Sequence, residues 1–571
     1  MARNAYFKQH PYFAQAALAT ILCLAVGKLI GLGIFEDAYI TFRCADNFAE
    51  GHGLTFNPGE PVESTTCFFF ALLLGLARKF LHFNPAFTAG VLNFGAVFFI
   101  LWSLARRGAQ RTPDTPPPAL PNAGFWFGAL NPGLWAYAHS GMEMIFFTGL
   151  LFAGFLFLLD HVELGRPAWP AGLAFGFAAI TRMEAAAFAI LAAGIALYFG
   201  ARDRRWRGVA GVLAPFVIVF GPVLAYRWRY YGHPLPISYY VKVDGGSFAL
   251  LSRGLSYVAH WLFTNPLVAL TFFLAERYLR RKTVIARRSA LGLLWMGAYA
   301  AYAAYVGGDY LPYHRFLVPL IPVAAWMIDD QWPLWAARVA ASRPNLPPLT
   351  RGKLLGVFVG CQVFAWIIPL QFLGLFGEIR KTAGWREVGE ALHRQIPDRH
   401  ASIYTLAAGA VPYFSKLRAY DGLGLTDPQV AFKKVALGTG VPGHEKSDTS
   451  RILTLAPDII IYLSFPKDAE IKNLPYYTKT EPKAYVDAFG KVYPLYLTPD
   501  QSGPTSLIGA HQAMTKFFDD DNFQSRYQLM KLRDPALTAV FFVRKDAPAC
   551  VRRAFEPFRL HGRPMDWREE P

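Results

Sequence analysis

Two adjacent carboxylates, Glu36 and Asp37, directly follow the first long apolar run of the chain. Further polar groups interrupt later apolar runs: Ser140-Gly141-Met142-Glu143, Arg182-Met183-Glu184, and Gly307-Gly308-Asp309 followed by His314-Arg315. Tyr230-Tyr231-Gly232-His233-Pro234 opens a longer polar loop that includes Tyr239, Tyr240 and Lys242. Together these residue types suit sugar transfer. A carboxylate within hydrogen-bond reach can take the proton of an acceptor hydroxyl. Arginine forks match the oxygens of a leaving phosphate, and aromatic rings offer faces to a sugar.

The cost of placing such groups among apolar runs sharpens this reading. A carboxylate or guanidinium at mid-membrane depth costs about 2.5–3.5 kcal/mol, so it persists mainly where it lines a wet cavity or is paired. Taken singly, each site other than Asp37 reads equally well as an interfacial charge, snorkelling or loosely paired. Two adjacent carboxylates at a helix end repel each other, which argues that one of them is held for a purpose.

The elements that position these groups are membrane helices. Of 571 residues, 53% are hydrophobic and only 17% charged, against about 25% charged in an ordinary soluble domain. Apolar windows recur from Ala14 to about Phe376, and roughly 20 such residues cross a hydrocarbon core. The net charge of +17 is not a nucleic-acid stripe, because the basic residues cluster in short loops. Those loops are Arg106, Arg107 and Arg111; Arg202, Arg204, Arg205 and Arg207; Arg277, Arg280, Arg281, Lys282, Arg287 and Arg288; and Arg338, Arg343, Arg351 and Lys353. Set inside by the positive-inside rule, they predict about eleven crossings, with both the polar motifs and the C-terminus outside. Residues 66–82 do not fit as a full crossing and are expected to be re-entrant or interfacial. Residues 169–181 and 185–199 are short and predict a helical hairpin with Arg182-Met183-Glu184 at its tip. Arg3 and Lys8 precede the run Ala14–Phe35, which is longer than a signal-peptide core and lacks a cleavage site, so an uncleaved first helix is expected. Cys23 and Cys361 read as packing residues. Cys44 and Cys67 share the first outer loop, where a disulfide stays open.

From about Gly377 the composition changes. Ser402–Leu406, Asp458–Leu463 and Ala539–Val543 read as strands, and Trp385–Gln395 as an amphipathic helix with Val388, Leu392 and Ile396 on one face. Residues 1–376 are thus expected to form a transmembrane catalytic domain and residues 377–571 an extracytoplasmic α/β domain. Gly438-Thr439-Gly440-Val441-Pro442-Gly443 has dinucleotide-loop spacing but follows a helix-like stretch and contains a proline, so it fails its structural context. The inner loops are too short for a nucleotide-binding domain, which points to a lipid-linked sugar donor.

The stretch Phe35-Glu36-Asp37-Ala38-Tyr39-Ile40-Thr41-Phe42-Arg43, continued by Glu50-Gly51-His52-Gly53-Leu54-Thr55-Phe56-Asn57-Pro58-Gly59-Glu60-Pro61-Val62-Glu63, resembles the first outer loop of bacterial GT-C glycosyltransferases related to the terminal β-(1→2)-arabinofuranosyltransferases. Shorter matches follow at Ser140–Glu143, Thr181–Glu184, Tyr230–Gly232, Gly307–Asp309 with Arg315-Phe316, Asp421–Asp427 and Gly443–Lys446. The resemblance implies a multi-pass GT-C enzyme of the bacterial inner membrane. It would transfer a sugar, D-arabinofuranose, from a polyprenyl phosphate to an outer glycan or surface-protein acceptor. It implies Asp37 as the catalytic carboxylate, with Glu36 supporting it or helping to hold a divalent cation (Mg2+, Mn2+ or Ca2+). Arg43, Arg182, Arg315, Tyr231, His233 and Lys242 become candidates for the donor and its phosphate. Glu143, Glu184, Asp309 and His314 would orient those groups or contact sugar hydroxyls, and Asp421, Asp427 and His444 would meet the acceptor. The chain departs from the family at Glu36, where aspartate is common, at Ser64-Thr65-Thr66-Cys67, and at Met183, where proline is usual. A hexosyl- or mannosyltransferase and a transporter or flippase of lipid-linked sugars remain the alternatives.

Overall fold

The computed structural model describes residues 11–108, 123–199, 205–243, 247–279, 284–342, 351–438, 442–446, 448, 450–466, 521–535, 537–557, 559–560 and 563–564. Of the residues used to orient the chain, Arg111, Arg202, Arg204, Arg280, Arg281, Lys282 and Arg343 lie outside the described residues.

The apolar runs form helices whose ends follow local chemistry. Pro85, Pro132, Pro266 and Pro369 each stand at the first helical position, where a missing N–H costs nothing. Asn131 caps helix Pro132–His139 by accepting from the amides of Gly133 and Leu134. Helix Met144–Leu164 ends at Gly165, whose φ of +64° suits glycine. Where the helices meet, Trp295 is fully buried among the rings of Phe155, Phe175 and Phe188, with centroids at 5.3, 5.6 and 4.8 Å.

The chain is a multi-pass, mostly helical membrane protein. Among the described residues four helices are long and apolar enough to cross a bilayer: Tyr12–Leu29, Pro85–Arg107, Met144–Leu164 and Arg205–Tyr231. A fifth arises if Leu355–Ile367 and Gln371–Gln395, bent by 42°, count as one span. The expected count of about eleven crossings therefore rests partly on helices that are shorter or more charged. The hairpin forms over the expected residues, as helices Trp169–Thr181 and Ala185–Phe199. Helix Phe68–Leu81, within the segment expected to be re-entrant or interfacial, has 14 residues; at 1.5 Å per residue it reaches about 21 Å, short of a hydrocarbon core of about 30 Å. Cys44 and Cys67 are free and lie in different apolar clusters.

The C-terminal part folds around a six-stranded sheet. Its strands are β1 (Ser402–Thr405), β2 (Arg418–Asp421), β3 (Ile459–Pro466), β4 (Tyr527–Leu532), β5 (Leu537–Arg544) and β6 (Phe555–Pro557), in the order β2-β1-β3-β5-β4-β6. β1 pairs in parallel with β2 and β3, and the rest of the sheet is antiparallel. The three expected strands are β1, β3 and β5.

Two features join this sheet to the membrane helices. The helix expected at Trp385–Gln395 begins at Pro369, so one helix of 27 residues runs through the expected boundary at 376/377. Its Val388, Leu392 and Ile396 pack with Ile403, Ile459 and Phe541, and the same core takes in Ile40, Cys44 and Phe56 from the segment after the first helix. The two parts share an apolar core.

Candidate active site

The reactive groups are held where helices stop. Asp37 stands at the N-cap of helix Ala38–Ala49 but makes no capping bond with its side chain, which leaves the carboxylate available. Glu143 occupies the corresponding position before helix Met144–Leu164. A negative charge is favoured at both places by the helix dipole. Helix Trp169–Thr181 ends as Arg182 turns to an extended conformation. Gly307 and Gly308, at φ of +77° and +73°, stop helix Val284–Tyr305 ahead of Asp309. At Gly308 a β-carbon would lie 2.6 Å from the Tyr257 ring, so the turn needs glycine both for its angle and for space.

These ends converge on a cavity of about 520 Å³. Its polar lining includes Asp37, Glu143, Arg182, Glu184, Lys242, Asp309 and Arg315. Arg315 is held between two carboxylates, 3.1 Å from Asp37 and 2.5 Å from Asp309. Arg182 is likewise held at 2.5 Å by both Glu143 and Glu184. The Phe316 ring lies beside both guanidiniums, at 5.4 and 5.2 Å. Asp37 differs from the other carboxylates: its side chain is 23% exposed, against 2% for Asp309, 5% for Glu143 and 7% for Glu184. Another face of the same cavity is apolar, formed by Ala187, Phe188 and Leu191 of the hairpin and Ala298 of helix Val284–Tyr305. Leu425, Pro442 and Gly443 of the C-terminal part also line it.

Electrostatics separates the acidic pair. Burial alone would raise Asp37, but Arg315, Lys242, Lys381 and His444 hold its carboxyl below the ordinary value, in the charged form a base needs. Burial and the neighbouring Asp37 charge push Glu36 up to about 7. Burial lowers Lys242, and the Arg315 charge adds to this. Burial lowers His444 as well.

The structure does not bring every expected residue to the cavity. Glu36 Oε1 instead accepts from the backbone N–H of Gly409 at 2.5 Å and of Ala410 at 3.0 Å. A β-carbon on Gly409 would sit 2.0 Å from the Glu36 carbonyl oxygen, so only glycine permits this approach. Arg43 does not line the cavity. It donates to the carbonyls of Phe56 (2.7 Å), Leu417 (2.8 Å) and Pro412 and to Asn57 Oδ1 (3.1 Å), and it lies over the Phe56 ring. Four of its five N–H donors are used in this way, joining the first loop to the C-terminal part.

Tyr231 donates to the Leu54 carbonyl at 2.9 Å and packs with Tyr226 and Tyr230. His233 packs against Tyr240 and Phe432. His314 faces His260, with ring nitrogens 2.9 Å apart. Asp421 accepts from the amides of Leu423 and Thr426 and so shapes the loop that carries Leu425. Asp427 caps the short helix Pro428–Ala431 and pairs with Arg451 at 2.8 Å. His444 packs edge-on against Tyr310 beside the cavity.

Among the described residues no group of three or more His, Cys, Asp or Glu could hold a metal ion. Glu36 and Asp37 face different partners and do not form a shared donor set for the cation. The fully buried pair Arg227–Glu63, at 2.8 Å, was not anticipated; Arg227 sits among apolar and aromatic residues with no motif to mark it. Ser64 and Ser238 also line the cavity, and serine is too common a residue to stand out in one sequence.

Residues 377–529 match a family model described as a domain of unknown function (DUF8728). No curated protein matches the chain. Among solved structures it is similar to ArnT from Cupriavidus metallidurans in the apo state, at 13% identity and a TM-score of 0.47, over 86% of this chain and 98% of that one. The same protein bound to undecaprenyl phosphate aligns at 12% identity and 0.47, over 83% and 97%.

Proposed function

We propose that this chain is a membrane glycosyltransferase that moves a sugar from a polyprenyl phosphate donor to an acceptor hydroxyl. The observation that carries the reading is the cavity itself, in which a partly exposed, charged Asp37 shares one space with buried cations and an apolar helix face. The apolar face suits the prenyl end of a lipid donor, and the charged end suits its phosphate and sugar. Asp37 takes the proton of the acceptor hydroxyl as that oxygen bonds to the anomeric carbon. The bond from that carbon to the phosphate oxygen breaks, and the phosphate leaves with the electron pair. Arg315 keeps Asp37 ionised for this step. Held by carboxylates on both sides, Arg182 and Arg315 orient the site more than they offer free charge.

On this reading the sugar is D-arabinofuranose, which the pattern from Phe35 to Glu63 supports, and the acceptor is a glycan or surface protein. The enzyme lies in a bacterial inner membrane with its C-terminal part outside, as the basic loops support. The test is transfer by purified protein in nanodiscs, using short-chain polyprenyl phosphate arabinofuranose and a panel of acceptors, beside Asp37→Ala. Release of polyprenyl phosphate that depends on Asp37 supports the reading. Turnover of a hexose donor alone replaces the sugar, and no turnover with any donor by folded protein overturns it.

A further inference from the structure

Ser64 and Ser238 come together through one backbone bond, in which the amide of Ile237 donates to the carbonyl of Glu63 at 3.3 Å. Each serine is the next residue beyond that bond. Both line the cavity, and both side chains are buried, at 5% exposure. Neither hydroxyl has a hydrogen-bond partner among the described residues, and a buried polar group left unpaired is costly. Lys242 lies four residues after Ser238 in helix Ile237–Lys242, on the same helical face, and it also lines the cavity.

Charge separates Lys242 from the other cations of the lining. Arg182 and Arg315 each carry two carboxylates, and Arg253 pairs with Glu445 at 3.2 Å. Lys242 forms no ion pair among the described residues. Gly443 packs over its stem, where a β-carbon would lie 2.9 Å from Lys242 Cε.

We infer that Ser64, Ser238 and Lys242 form a phosphate subsite in which two hydroxyls and one ammonium donate to the anionic oxygens of a single phosphate group. Two hydroxyls and an ammonium supply three donors on one wall, and because the ammonium only donates and carries charge, the set favours an anionic group rich in acceptors. The inference rests on the glycosyltransferase reading and places the leaving phosphate on the wall that carries Ser238.

The test is calorimetric titration of the full chain in detergent with a ten-carbon prenyl phosphate and, separately, with inorganic phosphate. The Ser64→Ala, Ser238→Ala double variant should bind the prenyl phosphate roughly tenfold or more weakly, since hydrogen bonds to charged groups are strong. Lys242→Met should show the same direction. The ligand-free double variant should melt at the same temperature as wild type or higher, because a hydroxyl without a partner contributes no stability; a lower midpoint assigns the serines to structure and overturns the subsite. Wild-type binding with unchanged affinity in the double variant overturns the subsite and leaves the donor reading intact. Absence of wild-type binding to either probe overturns both. Preference for the prenyl phosphate assigns the subsite to a lipid, and equal affinity assigns it to free phosphate.

Discussion

Glu36 and Asp37 share a peptide bond and hold opposite commitments. Glu36 accepts from the Gly409 amide at 2.5 Å, while Asp37 meets the Arg315 guanidinium at 3.1 Å. The turn that enters helix Ala38–Ala49 therefore places its reactive carboxylate in the cavity and anchors itself to the C-terminal part. Each of the two acidic residues has a separate, measurable role.

Asp37→Asn keeps the shape and removes the base, so transfer should fall by about 10²–10⁴-fold. Glu36→Gln retains an oxygen able to accept from Gly409 and Ala410 and should keep most of the activity. Release of polyprenyl phosphate by the two variants, run side by side, checks this.

Gly409→Ala forces a β-carbon to within 2.0 Å of the Glu36 carbonyl oxygen. Overpacking of this kind costs about 1–3 kcal/mol, and the backbone that must yield carries Asp37. Both the thermal midpoint and the transfer rate should drop, although Gly409 itself does not line the cavity. A variant with wild-type midpoint and rate would show that the contact positions nothing.

Stability should depend on pH in a defined direction. Burial raises Glu36 and Glu63 from 4.5 to about 7, and Asp421 from 3.8 to about 6. The folded chain then holds these protons more tightly than the unfolded chain. Their contribution is full below the unfolded values and is lost as pH rises through the folded ones. Thermal midpoints in detergent should fall between pH 5 and pH 8, and Glu36→Gln should flatten part of that slope.

Arg43→Met removes the donors that reach Phe56, Asn57, Pro412 and Leu417. With hydrogen bonds from a charged group worth about 1.5–3 kcal/mol each, the C-terminal part should loosen. Limited proteolysis between the Pro369–Gln395 helix and the sheet should become faster, with no change expected in a simple phosphate-binding assay.

Arg182→Ala leaves Glu143 and Glu184 buried without their cation. Breaking a buried pair in this way costs about 3–5 kcal/mol. Addition of Glu143→Gln to Arg182→Ala should recover part of the lost thermal midpoint.

Local signals were readable in the sequence. The short apolar runs gave the hairpin, and the short strand-like runs after Gly377 gave β1, β3 and β5. Asp37, Glu143, Arg182, Glu184, Lys242, Asp309 and Arg315 do share a cavity. What could not be read depends on distance along the chain. The partner of Glu36 is 373 residues away, and Arg43 bonds to Leu417 across 374. A motif records which residue is present, not whether its hydrogen-bonding capacity is already used; Arg43, Tyr231 and Asp427 bond within the fold and do not line the cavity. β2 carries charges at both ends, Arg418 and Asp421, so its pairing is invisible to apolar periodicity.

The uninterrupted helix Pro369–Gln395 also works as an indexing element. One added residue in its middle would swing everything beyond it by about 100° and advance it about 1.5 Å, carrying Leu425 and Gly443 away from the cavity and Gly409 away from Glu36. About seven added residues would nearly restore the angle, but at a shift of about 10 Å. A chimera that exchanges the sheet domain for another can thus keep a working cavity only if its splice conserves both the helical phase and the length of this segment. Loop-borne domains are free of that constraint.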